Sequence, residues 1–409
     1  MEQAISLALN HSWSAQAAQA DSTRAYQEYQ AARAGRFPTL SLEASAFRVD
    51  DVIEVQFPFQ RIELGSIDNY QADLRLRLPL FTGGKLSSGI EMRRRGLQAA
   101  TTELEGKRLE TAYQTRRAYL SLLLTEHLAA AAQSSQRRIG LIAENVENLY
   151  GAGLADSFDL IEVAAAKQQA EEAVVSRDTE RRNAAARLQQ LIGTDFAIAT
   201  AALDTLPQPD AGLASLSPTE HQINRPELTK VDDQIQGANA AVSLAKAQYS
   251  PDLAAFVGYS AGKPNRDMFE KSWNDYFAVG AALSWNLNLG NQVGNQRQAA
   301  EAQVNALQLS RRQLLEMLLL QATTAANNVK SALQTYESRA TELRLATDKY
   351  RLALGRQQAG GLSVNRLLEI ETELATAEQL WRAALVGYFL NLTDYDYALG
   401  NESIYGGIQ

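Results

Sequence analysis

The chain has 409 residues, 47 of them acidic and 39 basic, for a formal net charge of -8; this balance gives no reason to expect a nucleic-acid partner. It contains no cysteine, which excludes disulfides, cysteine-ligated metals and an acylated N-terminal cysteine within these residues. Aromatic residues make up only 7%, and the abundance of Ala, Gln, Glu and Arg suits long helices rather than a dense aromatic core.

No stretch approaches the roughly 18 unbroken apolar residues of a membrane-spanning helix. The opening Met1-Glu2-Gln3-Ala4 lacks a basic region followed by an apolar one, so no signal peptide is read there. A cytoplasmic protein and a chain that starts after a removed signal both remain open at this point. Residues 2–36 read as one helix, begun by Ile5, Leu7 and Leu9, Ala-rich to Ala34, and stopped by Gly35 and Pro38. The period then changes. Leu40, Leu42, Ala44 and Ala46 alternate with Ser41, Glu43 and Ser45, which predicts a strand over 39–48 with one wet face. A polar stretch from Arg48 to Asn69 separates it from a second strand over 70–81. There Leu74, Leu76, Leu78 and Leu80 interleave with Asp73, Arg75 and Arg77. Thr82-Gly83-Gly84 ends that strand, and a helix of about 65 residues follows. Its seam, Leu128, Ala132, Ile139, Ile142, Val146 and Leu149, stops at Gly151-Ala152-Gly153, and a return helix runs from Phe158 to Leu191. Gly193 ends it, and residues 194–223, with Pro207, Pro209, Gly212 and Pro218, read as irregular.

The same order then repeats. Asn224-Arg225-Pro226-Glu227-Leu228 opens a helix to Gln248, and Tyr249-Ser250-Pro251-Asp252-Leu253 answers Arg36-Phe37-Pro38-Thr39-Leu40. Alternation predicts strands over 252–261 and 276–288, separated by a polar loop. A long helix from Gln292 to Ala359 carries Leu315, Leu318, Ala322, Ala325, Val329, Ala332, Tyr336, Leu343, Ala346, Tyr350 and Ala353 at steps of three and four, with only Arg339 out of type. A sustained heptad period implies a left-handed supercoil against neighbouring helices. The pattern breaks at Gly360-Gly361 and resumes through Leu362, Leu367, Leu368, Leu374, Ala377 and Leu385. Two structural repeats are therefore expected, residues 1–210 and 211–409, each helix, strand, strand, long helix, Gly break, helix.

The strand pairs admit two readings. They form either a small soluble sheet packed on a core by its apolar face, or a wall that crosses a bilayer. Glu43, Asp73, Arg75 and Arg77 suit a wet lumen, and the Leu-rich faces end near Phe81 and Trp285 as an aromatic girdle would. Strands of roughly 9–11 residues are also long enough to cross at a tilt. Lipid forbids open sheet edges, so four strands must close with copies of themselves. Two copies give a filled interior and three give twelve strands with room for a passage.

At this point the chain resembles the TolC-type outer-membrane efflux proteins. The resemblance rests on Ala4-Ile5-Ser6-Leu7-Ala8-Leu9, Ala32-Arg33-Ala34-Gly35-Arg36-Phe37-Pro38-Thr39-Leu40, Leu78-Pro79-Leu80-Phe81-Thr82-Gly83-Gly84, Asn224-Arg225-Pro226-Glu227-Leu228 and the two Gly breaks. It implies an α+β membrane channel: a homotrimer with a 12-stranded transmembrane β-barrel, four strands per chain, continued by a long periplasmic α-helical barrel of coiled-coil hairpins. It also implies outer-membrane lipid around the barrel, a periplasmic adaptor (membrane fusion protein) and an inner-membrane pump of RND or ABC type. The role implied is the passive exit duct of a tripartite efflux or type I secretion system. Family members begin with a cleaved signal, so the sequence is expected to start after it.

In the family the hairpin tips form the periplasmic entrance and the adaptor contact. Carried onto this chain, they are Gly151, Gly153, Leu154, Ala155, Asp156 and Ser157, and Gly360, Gly361, Leu362 and Ser363. All four glycines are expected to allow the reversals through positive φ. Some members place two acidic residues three apart just inside the second tip, where they ring the closed aperture. An ungapped alignment over Leu367-Leu368-Glu369-Ile370 puts Arg366 and Glu369 there, a departure that replaces an acidic ring with a mixed one, and Asp159 is a possible partner. An i,i+3 pair on a solvated helix face is the plainer reading of the same residues. The other carboxylates are spread along helix faces and read mostly as solvation. His11, His127 and His221 lack metal-type spacing, Gly83-Gly84 is not a phosphate loop, and no catalytic residue, metal or cofactor is expected. The competing reading is a soluble coiled-coil scaffold or adaptor. An enzyme with a helical-bundle active site lacks any convergent acid, base or metal set.

Overall fold

The computed structural model describes residues 1–193, 206–210, 216–266, 269, 271–287 and 289–406. Helices α1 (Glu2–His11) and α2 (Trp13–Ala34) precede strands β1 (Thr39–Arg48), β2 (Ile53–Phe57), β3 (Gln60–Leu64) and β4 (Asp68–Phe81), then α3 (Lys85–Gly151) and α4 (Ser157–Ile192). After a 3₁₀ turn at Glu220–Gln222 come α5 (Pro226–Ala247), β5 (Asp252–Lys263), β6 (Asn274–Ser284), α6 (Gln292–Gln358) and α7 (Val364–Leu399). Helices α3 and α6 each have 67 residues, and α4 and α7 each have 36. At 1.5 Å per residue each long helix measures about 100 Å. Most of the segment expected to be irregular, Gly212 included, lies outside the described residues, as does Asn288 at the predicted end of the last strand; Pro207, Pro209 and Pro218 sit in stretches without helix or strand.

The chain forms two compact units, one of Met1–Ala20, Thr102–Thr229 and Arg312–Gln409, the other of Asp21–Thr101 and Lys230–Arg311. The first is helical. Every position of the α6 seam from Leu315 to Ala353 is buried or half-buried, and Leu318, Ala322, Val329 and Leu333 pack with Leu120 of α3 and with Val386 and Phe389 of α7. A second cluster joins Ala4 and Ala8 of α1 to Leu122 of α3 and to Leu188 and Ile192 of α4. Small seam residues such as Ala322, Ala325 and Ala332 let the helices approach closely, and larger ones fill the gaps between. In the second unit α5 buries Ile235, Ala240, Val242 and Ala245. This thin core is tied by ion pairs: Arg93 of α3 to Glu28 of α2 at 2.9 Å, and Arg311 of α6 to Asp232 of α5 at 2.5 Å.

Three elements depart from the sequence reading. The first helix is two, because Ser12 takes a non-helical conformation (φ -55, ψ 111) and its Oγ accepts the N–H of Ala15 at 3.3 Å, capping α2. The polar stretch after Arg48 contains the β2–β3 hairpin, with Ile53 opposite Leu64 and Val55 opposite Ile62. Finally, β6 ends at Ser284, not 288. Ser284 pairs with Asp252, the first residue of β5, and the preceding Pro251 has no N–H to extend the ladder.

Candidate functional site

The four-stranded antiparallel sheet runs β1-β4-β5-β6. Its register places Leu40 opposite Leu76, and Leu76 opposite Val257, which faces Val279; likewise Leu42, Leu74, Tyr259 and Phe277 form one row. Strand alternation therefore gathers these side chains on one face. No described element covers that face: Leu42 is 71% exposed and Val279 72%, and all ten residues of β1 are exposed. A soluble sheet packed on a core would show the reverse. Among the described residues the two outer strands, β1 and β6, have no neighbour on their outer sides.

The opposite face is polar. Glu43 faces Asp73, Ser41 faces Arg75 and Thr39 faces Arg77, so the sheet brings all four predicted lumen residues onto one side. A bulge between Pro79 and Phe81 turns Phe81 to face Leu253, which in turn faces Leu283. Trp285 follows just beyond the end of β6, its Nε1 donating to the Tyr249 carbonyl at 3.0 Å. Phe81 and Trp285 thus sit at the same end of the sheet.

The two helix reversals have the same construction. Leu154 N–H donates to the Leu149 carbonyl at 2.8 Å and Gly153 N–H to Tyr150 at 2.9 Å; Gly361 donates to Arg356 and Gly360 to Gln357, both at 2.9 Å. These are paired Schellman closures, which place their penultimate residue in the left-handed region. Gly153 and Gly360 occupy it, each at φ 74. Gly151 and Gly361 do not, which corrects the expectation for those two: Gly151 is the last residue of α3, and Gly361 follows the left-handed residue. Asp156 then caps α4, its Oδ1 accepting the N–H of Asp159 at 3.0 Å, and Ser363 caps α7 by accepting the N–H of Arg366 at 3.3 Å. Ala155 and Leu362 pack into a cluster with Ile142, Val146, Val364 and Leu367, whereas Leu154 is 75% exposed and Gly151, Gly153, Asp156, Ser157, Gly360, Gly361 and Ser363 are exposed beside it on the two tips.

Arg366 and Glu369 are brought together at 2.5 Å, both side chains about half exposed. The carboxylate raises the Arg366 guanidinium above its ordinary value by hydrogen bonding and charge. Asp159 instead turns back on its own helix, its Oδ2 accepting the N–H of Asp156 at 3.5 Å. Of the histidines, His11 stacks edge-on against Trp13 at 5.3 Å and His127 Nδ1 lies 3.2 Å from Arg382.

One carboxylate stands apart from the acids that solvate helix faces. Glu371 of α7 is 1% exposed, accepting from Ser135 Oγ at 2.9 Å and Arg138 Nε at 3.0 Å. Arg138 also reaches Glu378 at 3.2 Å and lies over the Tyr350 ring at 5.9 Å. Burial pushes the Glu371 carboxyl above the usual carboxylate range, against the pull of Ser135 and Arg138. The signal was there: Glu371 falls four residues after Leu367 and three before Leu374, beside the seam.

The sequence model of the family described as outer membrane efflux protein matches residues 4–194 and 218–385. The chain belongs to that family. Members are transport channels of the outer membrane and not enzymes, so this efflux protein has no catalytic site to assign. A search of curated proteins by sequence gives no match. Among solved structures, the efflux protein is similar to the outer membrane protein VceC from Vibrio cholerae (TM-score 0.79, 21% identity, 100% of this chain and 96% of that one). A membrane protein from Pseudomonas aeruginosa gives a TM-score of 0.80 at 17% identity, over 97% and 93% of the two chains. The open state of the MtrE outer membrane channel from Neisseria gonorrhoeae gives 0.77 at 18%, over 98% and 88%. These likenesses establish the fold.

Proposed function

We propose that this efflux protein is the passive exit duct of a tripartite export machine: three copies close a 12-stranded barrel in the outer membrane, and their helical hairpins extend into the periplasm. The observation that carries it is a four-stranded sheet with an uncovered apolar face, a polar reverse and two open edges. Lipid covers the first, water fills behind the second, and only neighbouring copies satisfy the third. A soluble coiled-coil scaffold would have to cover the apolar face with its own chain, and no described element does so. The equal helix lengths and the matched reversals support an internal twofold repeat dividing near residue 210. Export energy would come from the inner-membrane pump, through the adaptor docking on Gly151, Gly153, Leu154, Ala155, Asp156, Ser157, Gly360, Gly361, Leu362 and Ser363. Glu43, Asp73, Arg75 and Arg77 line the barrel lumen, and Phe81 and Trp285 belong to its aromatic girdle.

Because the chain has no cysteine, pairs placed one on β1 and one on β6 report assembly without background. Oxidation in membranes is expected to give a ladder ending at the trimer, from material that needs detergent and resists heating as an oligomer. Monomeric protein that stays in the aqueous fraction would sink the duct and its partners together.

The entrance is held shut by contacts among Arg366, Glu369 and Asp159 from neighbouring tips. The Arg366–Glu369 pair, already formed within one chain, supplies the charged unit that repeats around the aperture. Glu369→Lys places like charges together and is expected to raise single-channel conductance. Conductance equal to that of the unaltered protein would reject this role.

A further inference from the structure

We propose that the sheet carries its own charge filter, a basic collar made by Arg75 and Arg77 that favours anionic cargo; this rests on the barrel reading above. The register sorts the polar face into rows. One row holds Glu43, Asp73, Ser260 and Tyr276; the next Ser41, Arg75, Gly258 and Ala278; the third Thr39, Arg77, Phe256 and Gly280. Successive rows lie about 7 Å apart along a strand.

Three features make the basic rows dominate. First, the neighbours of Arg75 in its row are Ser, Gly and Ala, so its guanidinium is the tallest group there. In the third row the Phe256 ring lies over Gly280, where a Cβ would come within 2.9 Å of its Cζ, and so covers the wall instead of screening Arg77. Second, among the described residues neither guanidinium has a hydrogen-bonding or ion-pair partner, and both side chains are exposed. Asp73 keeps its charge but is tethered close to the wall, its Oδ2 accepting from Gln71 Nε2 at 2.8 Å. Lys85 and Asp252 pair with each other at 2.7 Å and so cancel. Third, arginine is the longer side chain, so in a closed barrel its charge stands nearer the axis than that of aspartate or glutamate. Three copies would supply six guanidinium groups, whose planar forks suit carboxylate, sulfonate and phosphate oxygens. A charged constriction with low-dielectric walls concentrates counter-ions.

The test is the reversal potential of the purified oligomer in planar bilayers under a potassium chloride gradient. The unaltered channel is expected to pass chloride over potassium by about threefold. R75Q/R77Q should reverse that preference to cations, E43Q/D73N should strengthen it, and R75K/R77K should keep its sign. Heat-resistant oligomer on gels shows that each variant has assembled; should R75Q/R77Q fail to assemble, a stronger chloride preference in E43Q/D73N beside an unreversed one in R75K/R77K decides. Open channels whose reversal potential moves with neither R75Q/R77Q nor E43Q/D73N overturn the collar alone. Purified oligomer that opens no channel even when Glu369→Lys releases the entrance overturns the duct on which the collar rests.

Discussion

Replacing Arg138 with methionine is expected to cost the helical unit about 3–5 kcal/mol. The substitution leaves Glu371, at 1% exposure, with only Ser135 Oγ to meet its charge, and it removes the bridge from α3 to Glu378. Methionine keeps most of the arginine stem's packing, so the loss reports the charge. The double variant R138M/E371L removes both partners and should recover most of the stability, since apolar replacements of buried pairs are often neutral or stabilising. The pH dependence has a definite sign. Burial holds the folded Glu371 carboxyl above its unfolded value, so in the pH range between the two the folded state binds more protons. Its contribution to stability is therefore present at low pH and lost as pH rises through that range. Without Arg138 the carboxyl moves further up, and R138M should lose more stability from pH 5 to pH 8 than the unaltered protein. Chemical denaturation of the detergent-solubilised protein at the two pH values measures this. An R138M midpoint equal to the parent's at both would show that the pair contributes nothing.

Leu76→Arg is expected to abolish membrane-inserted oligomer. Leu76 sits between Leu40 on β1 and Val257 on β5 in the middle of the apolar face. An arginine on a barrel's lipid face costs about 2–4 kcal/mol at the bilayer midplane, and assembly repeats that cost in every copy. Ser41→Arg is the control, on the opposite face and one strand away, where a charge would meet water. The yield of heat-resistant oligomer in outer-membrane fractions separates the two. Equal yields would mean that the two faces are alike to their surroundings, and the lipid assignment would fall.

How much of this was legible in the sequence depended on how many residues shared a period. Strand β1 is legible because four apolar positions alternate with polar ones between Pro38 and the next turn. The seam of α6 was legible for the same reason over many more turns. The β2–β3 hairpin was not, although Ile53, Val55 and Phe57 alternate with Glu54 and Gln56. The run is short, and the acids and turn residues on either side made the whole segment read as polar. The break at Ser12 was hidden inside an Ala-rich helix, where one capping hydroxyl is a weak signal against two strong helical flanks. The tips were legible as turns, because Gly-Gly and Gly-Ala-Gly interrupt long seams. Which glycine takes positive φ was not, since that depends on the hydrogen-bond closure at the helix end. The Arg138–Glu371 contact escaped for a different reason. It joins residues 233 apart in the chain, and heptad phase identifies a position beside a seam without naming what lies across from it.

The two unpaired borders of the sheet bear on biogenesis. Among the described residues of a single copy nothing pairs the outer amides and carbonyls of β1 and β6, which only solvent can then meet, and β1 is exposed at every residue. An isolated chain in transit therefore gains little by completing its sheet, while its helical hairpins already bury their seams. On the trimeric reading proposed above, the yield of inserted protein is expected to rise steeply with protein concentration, since the wall would take shape only as copies meet. Any factor that shields those borders on the way would raise the yield by keeping them from pairing out of register or with the wrong neighbour.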